Sequence, residues 1–435
     1  MKATDNTQAT GTTQAAKAAK AARGARGGKA SGRTTLIATA LVLGIAAGPA
    51  VAHAAPAPAR GAAAAAVAGP DAGGAAGPVF STPPHAAALQ RAIAGLGPDH
   101  KDATAALVRV GGTSGSWRGS SGVADVRSGR PALEQGRFRA GSVTKTFTSA
   151  VVLQLAAEGR IDLDRPVQQY LPGLFPDAFE PIAVRQLLNY TSGIQAPDGP
   201  GDDFEAEWQH RFDVVDPRVQ IAGALAKGPE FRPGAAQHYL NIDYTLLGVL
   251  VEKVTGTSYE EAVAQRILRP LGLRQTSFPG PAGTRIQGPY NHGYQAVPRP
   301  DGSRELRDVS EWNSSGRWAA GDIISTTADL ERFTVALFGG KVVPKAQLEE
   351  MFTVPPVKDF TTGEDAALTA GMSRIVLPDG TEVWGKTGAR HGYTTAIGAT
   401  RDLSRTLVYS VNSTDAKGKE MNKVAYGIVA AAFAK

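Results

Sequence analysis

Gly141-Ser142-Val143-Thr144-Lys145, which runs straight into the apolar stretch from Phe147 to Leu155, decides how this chain is read. It places a hydroxyl and an amine three residues apart at the start of a helix predicted over 146–158 and stopped by Gly159. Positions i and i+3 share a helix face, so Lys145 can reach Ser142. A serine hydroxyl is a poor nucleophile at neutral pH. A lysine desolvated in an apolar helix gives up its proton well below the usual pKa of about 10.4, so it can take or relay the serine proton. The helix N-terminus adds a field that favours negative charge beside Ser142. Standing alone, the pattern reads as readily as a helix cap beside a solvated lysine.

Two further clusters lie downstream. Tyr239-Leu240-Asn241, set behind Phe231-Arg232-Pro233-Gly234, puts a phenol and an amide at i and i+2 of a predicted loop, where both can face a cleft. Beside a cationic lysine the phenol ionises more readily, as a general base requires, and Asn241 can hydrogen-bond a substrate amide. The plain alternative is a packed aromatic and a turn asparagine. Trp384-Gly385-Lys386-Thr387-Gly388 lies at the edge of a β-type run. There Lys386 supplies positive charge, Thr387 a hydroxyl, and Gly388 room for a substrate backbone. A glycine-bounded turn with an exposed lysine is the competing reading.

Around these clusters, β-type runs are predicted at 104–110 and 122–126, with a glycine- and serine-rich turn near Trp117 between them, and again at 381–384, 394–400 and 406–411. A closing helix is predicted over 420–433. Strands at both ends with helices between them predict one sheet made from sequence-distant pieces. The α/β parts are expected at about 80–160 and 341–435, and a mainly helical insertion at about 161–340.

A chain of 435 residues with 42% hydrophobic composition is long enough for one large enzyme domain. Its formal charge of +6 is confined to the first 33 residues, where seven Lys/Arg face one acid; the remainder has equal numbers of acids and bases. A nucleic-acid or anionic-membrane partner is therefore excluded on charge. The basic stretch, the apolar run Leu36 to Ala47 and the small-residue site Ala52-His53-Ala54 predict a cleaved export signal over 1–54, followed by an Ala/Gly/Pro-rich linker over 55–79. The mature protein is then expected to be secreted, within reach of the cell wall, with no stable membrane span. No cysteine occurs, which removes disulfides, thiol nucleophiles and thiolate metal sites. The seven histidines are scattered without ligand spacing, so neither metal nor cofactor is expected; His238 and His391 adjoin the clusters and read as polar loop residues. No Gly-x-Ser-x-Gly elbow is present.

Taken in order, Ser142-x-x-Lys145, Tyr239-x-Asn241 and Lys386-Thr387-Gly388 resemble the motif series of the penicillin-binding proteins and β-lactamases. The tyrosine is similar to that of the class C branch and of the exported D-alanyl-D-alanine carboxypeptidases. Segments 185–194, 270–273 and 320–330 also look like signatures of that family, so the resemblance runs from about Phe80 to Lys435. It implies an α/β fold of the β-lactamase/transpeptidase type, a mainly antiparallel sheet flanked by N- and C-terminal helices, with an inserted all-helical domain. It also implies that Ser142 attacks the carbonyl of a D-Ala-D-Ala bond or a β-lactam, with Lys145 and Tyr239 moving protons. The N–H groups of Ser142 and Ala389 would form the oxyanion hole, Asn241 would hold the substrate amide, and Lys386 and Thr387 would meet its carboxylate.

Two positions depart from the closest carboxypeptidases. The arginine expected shortly before the third motif is displaced to Arg374, and Ala389 stands where a hydroxyl residue is usual. Arg374 or Arg390 is the expected replacement reader of the carboxylate, and Trp312 or Trp318 a wall of the cleft. The expected ligand is a peptidoglycan stem peptide or a β-lactam, bound by a monomer. An esterase, a D-amino-acid amidase, a class C-like β-lactamase and a penicillin-binding sensor remain open on the same serine.

Overall fold

The computed structural model describes residues 80–200 and 203–435; the predicted signal and linker lie outside them. The chain enters through helix α1 (Ala86–Ala92), capped by the His85 ring, which accepts from the Ala88 amide at 3.1 Å. It then forms strands β1 (Ala103–Gly111), β2 (Trp117–Asp125) and β3 (Arg130–Pro131). Helices α2 (Thr144–Ala157), α3 (Asn241–Thr255) and α4 (Thr327–Phe338) follow. Strands β4 (Ser373–Val376), β5 (Glu382–Arg390), β6 (Tyr393–Ala399) and β7 (Thr406–Ser413) come next, and α5 (Lys423–Ala432) closes the chain.

The seven strands make one sheet in the order β4-β5-β6-β7-β1-β2-β3, every neighbouring pair antiparallel. Period-2 alternation of side chains sends β1 and β7 to two different cores. Ala106, Val108 and Val110 of β1 and Tyr409 and Val411 of β7 pack with Leu89, Ile93, Val424 and Ile428 of α1 and α5. Leu107 and Val408 turn to the other face and join α2, α3 and α4. Burying a side chain of this size contributes about 1.5–3 kcal/mol. Phe147 of α2 stacks on Phe333 of α4 with centroids 3.7 Å apart, and Arg109 of β1 pairs with Glu331 of α4 at 3.0 Å. The α/β architecture with flanking terminal helices is thus as the sequence predicts.

The helix-rich stretch has more in it than helices. Tyr294–Pro298 and Arg304–Asp308 form an antiparallel ribbon, and α4 packs on β1, β6 and β7 of the main sheet. Helix α2 begins at Thr144, two residues before its predicted start, and is buried on almost every side. Its polar groups are satisfied by neighbours: Thr146 donates to the Gly371 carbonyl at 2.8 Å and Thr148 to that of Ala319 at 2.7 Å. Such pairing is what lets polar side chains lie in a core.

Candidate active site

Ser142 occupies a single 3-10 turn, Gly141–Val143, that leads into α2. Gly141 has φ +53°, and a Cβ there would lie 2.8 Å from the Ala389 nitrogen on β5. Gly388 makes the reciprocal approach: its Cβ would fall 2.0 Å from the Ala140 carbonyl oxygen and 3.0 Å from the Ser142 nitrogen. Thr395 of β6 donates to that same Ala140 carbonyl at 2.9 Å and ties the turn to the sheet. Two glycines therefore bring the Ser142 and Ala389 N–H groups side by side, as stabilisation of an oxyanion requires. This corrects the role expected for Gly388, because the chain's own serine turn fills the space reserved for substrate. Strand β4 pairs with β5 over Glu382–Gly385, and the pairing stops before Lys386. Beyond that point the outer edge of β5 has no strand partner among the described residues, the kind of edge an extended ligand can pair with.

Lys145 is fully buried, with Nζ 3.2 Å from Ser142 Oγ. The amine donates to Asn241 Oδ1 at 2.6 Å and to the Ala320 carbonyl at 2.7 Å. Burial, then the charges of Lys386, Arg317 and Lys417, push its pKa well below the ordinary 10.5, against a weaker pull from Asp243. A neutral amine has two N–H groups and one lone pair. The two shorter bonds use the N–H groups, which leaves the lone pair to accept the serine proton. Asn241 is the first residue of α3 rather than part of a loop, and it orients the base.

Tyr239 is buried with its hydroxyl directed at Ser142, yet that oxygen has no hydrogen-bond partner in the resting site. Burial raises the phenol pKa above its ordinary value of 10.0, more than Ser142 and Arg317 lower it. Burial thus works against the ionised phenol expected beside a cationic lysine. It disfavours the charged form of both groups, and a phenol that keeps its proton is suited to relay one to a leaving nitrogen. Its ring lies 4.9 Å from Tyr190, and the nitrogens of Lys145 and Lys386 stand 5.1 and 4.8 Å from its centroid. Lys386 is 5% exposed, and desolvation pushes its ammonium down to about 7. Thr387 follows it on β5, half-buried.

The other expected site residues are placed differently. Arg374 is on the edge strand β4, where Glu382 engages its guanidinium. It is not drawn to the serine, because the one-residue displacement aligns it with Trp384 instead of Gly385 and so turns its side chain to the other face of the sheet. Trp318 donates from its indole to Glu260 at 2.8 Å and packs on Tyr259 and over Gly248, so it belongs to the helical core. Trp312 joins an aromatic wall with Phe204, Trp208 and His391. His391 meets the Glu207 carboxylate at 2.9 Å, and His238 meets Glu230 at 2.6 Å. Sequence reasoning missed the Ala320 carbonyl, Asp243, Glu207, Arg317 and Lys417. Of these, Ala320 lay in a segment already singled out, and Asp243 in the stretch that follows the Tyr239-Leu240-Asn241 cluster. Within 185–194, Tyr190 packs on Tyr239, and Ser192 donates to the buried Asp243 carboxyl at 2.5 Å. Among the described residues no cluster of three or more metal-ligating side chains occurs.

Comparison with known proteins agrees with this geometry. The solved structure of a D-stereospecific amidohydrolase from Streptomyces sp. superposes with a TM-score of 0.69 and 35% identity, covering 80% of this chain and 99% of that one. Penicillin-binding protein 4* of Bacillus subtilis is 29% identical over 333 residues, which span 74% of this chain and 71% of the relative. Esterase EstB of Burkholderia gladioli is 32% identical over 189 residues, less than half of either chain. Residues 89–431 match the β-lactamase family as a whole. This serine hydrolase therefore belongs to the β-lactamase family, alongside the penicillin-binding proteins.

Proposed function

We propose that this chain is an exported amidohydrolase that cleaves the amide bond after a D-configured residue through an acyl-enzyme on Ser142. The observation that carries the chemistry is the buried Lys145, held by Asn241 and Ala320 with Nζ 3.2 Å from Ser142 Oγ and with burial working against its charged form. Ser142 Oγ attacks the carbonyl as its proton passes to Lys145, and the N–H groups of Ser142 and Ala389 hold the oxyanion. Each such donor is worth about 3–4 kcal/mol in acyl-transfer sites. The leaving nitrogen is protonated through Tyr239. Water then attacks the ester, its proton passing to Lys145 and on to Ser142 Oγ as the acyl–oxygen bond breaks and the acid leaves. The D-configuration is supported by the 35% identity to the Streptomyces D-stereospecific amidohydrolase across 99% of that chain.

A D-Ala-D-Ala carboxypeptidase is the second reading. Lys386 and Thr387 on the open edge of β5 favour it, since they can meet a terminal carboxylate. Engagement of Arg374 by Glu382, and an alanine at 389, weigh against it. The deciding test gives the full chain and its Ser142→Ala variant D-phenylalanine amide and a diacyl-Lys-D-Ala-D-Ala peptide, scoring released ammonia and D-alanine. Serine-dependent ammonia is expected. D-alanine release alone would replace this reading with the carboxypeptidase, and release of neither would sink both.

A further inference from the structure

Beyond Ala389 the strand β5 ends in Arg390, which is 6% exposed. Among the described residues its guanidinium has no hydrogen-bond or ion-pair partner, and its Nε is fully buried without one. Leaving a buried charge unpaired costs several kcal/mol, so the groups around it decide whether it is neutralised from within. The charges acting on it are those of Arg317, Arg139, Glu207 and Asp322. Arg139 is cationic and bonded to neutral oxygens, those of Ser314, Thr284 and Ser310. Asp322 is buried, and burial pushes its carboxyl well above the ordinary range, which weakens it as a counter-charge; counted as an anion it would still leave the cations in excess. Glu207 is ionised, but His391 at 2.9 Å and Arg317 at 4.0 Å already share it. Lys417, just past β7, lies within electrostatic range of Glu207, Arg317 and Arg390; burial pushes its ammonium down to about 7, so a bound anion would favour its charged form. The cluster holds a surplus of positive charge.

The strand gives this surplus a direction. Lys386 stands over the Tyr239 ring, and Tyr239 serves the leaving nitrogen, so the leaving half of a bound amide lies toward Lys386. The carbonyl sits at the Ala389 N–H, and the acyl half must then lie toward Arg390 and the Trp312 wall. We propose that Arg390, with Arg317 and Lys417, forms an anion-reading subsite on the acyl side of the scissile bond, so that the preferred acyl donors carry a carboxylate. This rests on the acyl-enzyme reading above and names its substrate class.

The test compares N-succinyl-D-alanine p-nitroanilide with its neutral succinamyl counterpart. The parent protein is expected to favour the acid at least tenfold in kcat/KM, mainly through KM, and Arg390→Gln and Lys417→Met to bring the ratio toward one. Equal rates on the two substrates would overturn the subsite while leaving the amidohydrolase standing. If neither anilide turns over, the amide reading has failed, and the subsite is then judged on p-nitrophenyl acetate hydrolysis at Ser142. Competitive inhibition by glutarate that Lys417→Met weakens would uphold it, and indifference to glutarate would end it.

Discussion

The two faces of the main sheet are packed by opposite rules. Toward α1 and α5 the contacts are apolar, with Leu89, Ile93, Val424 and Ile428 closing over β1 and β7. Toward α2 and α3 the interior takes in Lys145, Asp243, Lys386 and Arg390, all nine-tenths buried or more. A buried charge shifts its pKa or finds partners, and either way stability is surrendered. One face holds the sheet together, and the other spends part of that stability on reactive groups, the usual trade between stability and activity.

Substitutions on either side can break or sharpen this contrast. The largest effect is expected from Gly388→Ala, whose Cβ would meet the Ala140 carbonyl at 2.0 Å and part the two oxyanion donors. We expect kcat to fall about 10²–10³-fold, as steady-state kinetics on a p-nitrophenyl ester will read. Ile428→Ala on the opposite face should do the reverse, removing about 2–5 kcal/mol of stability in denaturant titration with kcat little changed. Should it depress kcat as strongly, the division of labour between the faces is wrong.

Lys386→Met tests the cost of the reactive face. The lysine has a pKa of about 7 in the fold against 10.5 ordinarily, so between these values the unfolded chain binds the extra proton. Stability therefore rises with pH through that window, and the full penalty is felt below it. The methionine variant should be more stable than the parent by about 1–3 kcal/mol at pH 7, with the gain vanishing near pH 10.5 in thermal melts. A gain that ignores pH would assign the effect to packing. The smallest change is Gly427→Ala in α5, where the added Cβ would sit 3.5 Å from Ala92, in ordinary contact. Helix propensity alone predicts about 0.5–1 kcal/mol of added stability, and activity equal to that of the parent.

What was legible in the sequence was what local pattern encodes. Ser142, Lys145, Tyr239, Asn241 and Lys386 were readable because three short motifs carry them, and the strands because apolar runs bounded by glycine mark them. The strand β5 was read only to Trp384, since Gly385, Lys386 and Gly388 lack strand propensity and are held by pairing with β6. The ribbon at 294–308 had a local signal, Asp301-Gly302 with Gly302 at φ +83°, which suits a tight hairpin. The protonation states were not legible. A phenol beside a lysine can ionise or not depending on which of the two is drier, and that is a property of packing. Arg317, Glu207 and Lys417 meet only in three dimensions, and no spacing in the chain announces them.

The pairing of β1 with β7 sets Ala105 against Asn412 in the centre of the sheet. A nascent chain therefore exposes one edge of β1 until nearly all of it has been synthesised. Folding must wait on a closure of some 300 residues, and contacts of such separation are slow to form. Assembly of the oxyanion hole needs a long closure of its own, because its two amides, on Ser142 and Ala389, lie near opposite ends of the stretch between those strands. Activity can thus appear only at the end of folding, and a truncation that removes β7 should yield no partly active enzyme.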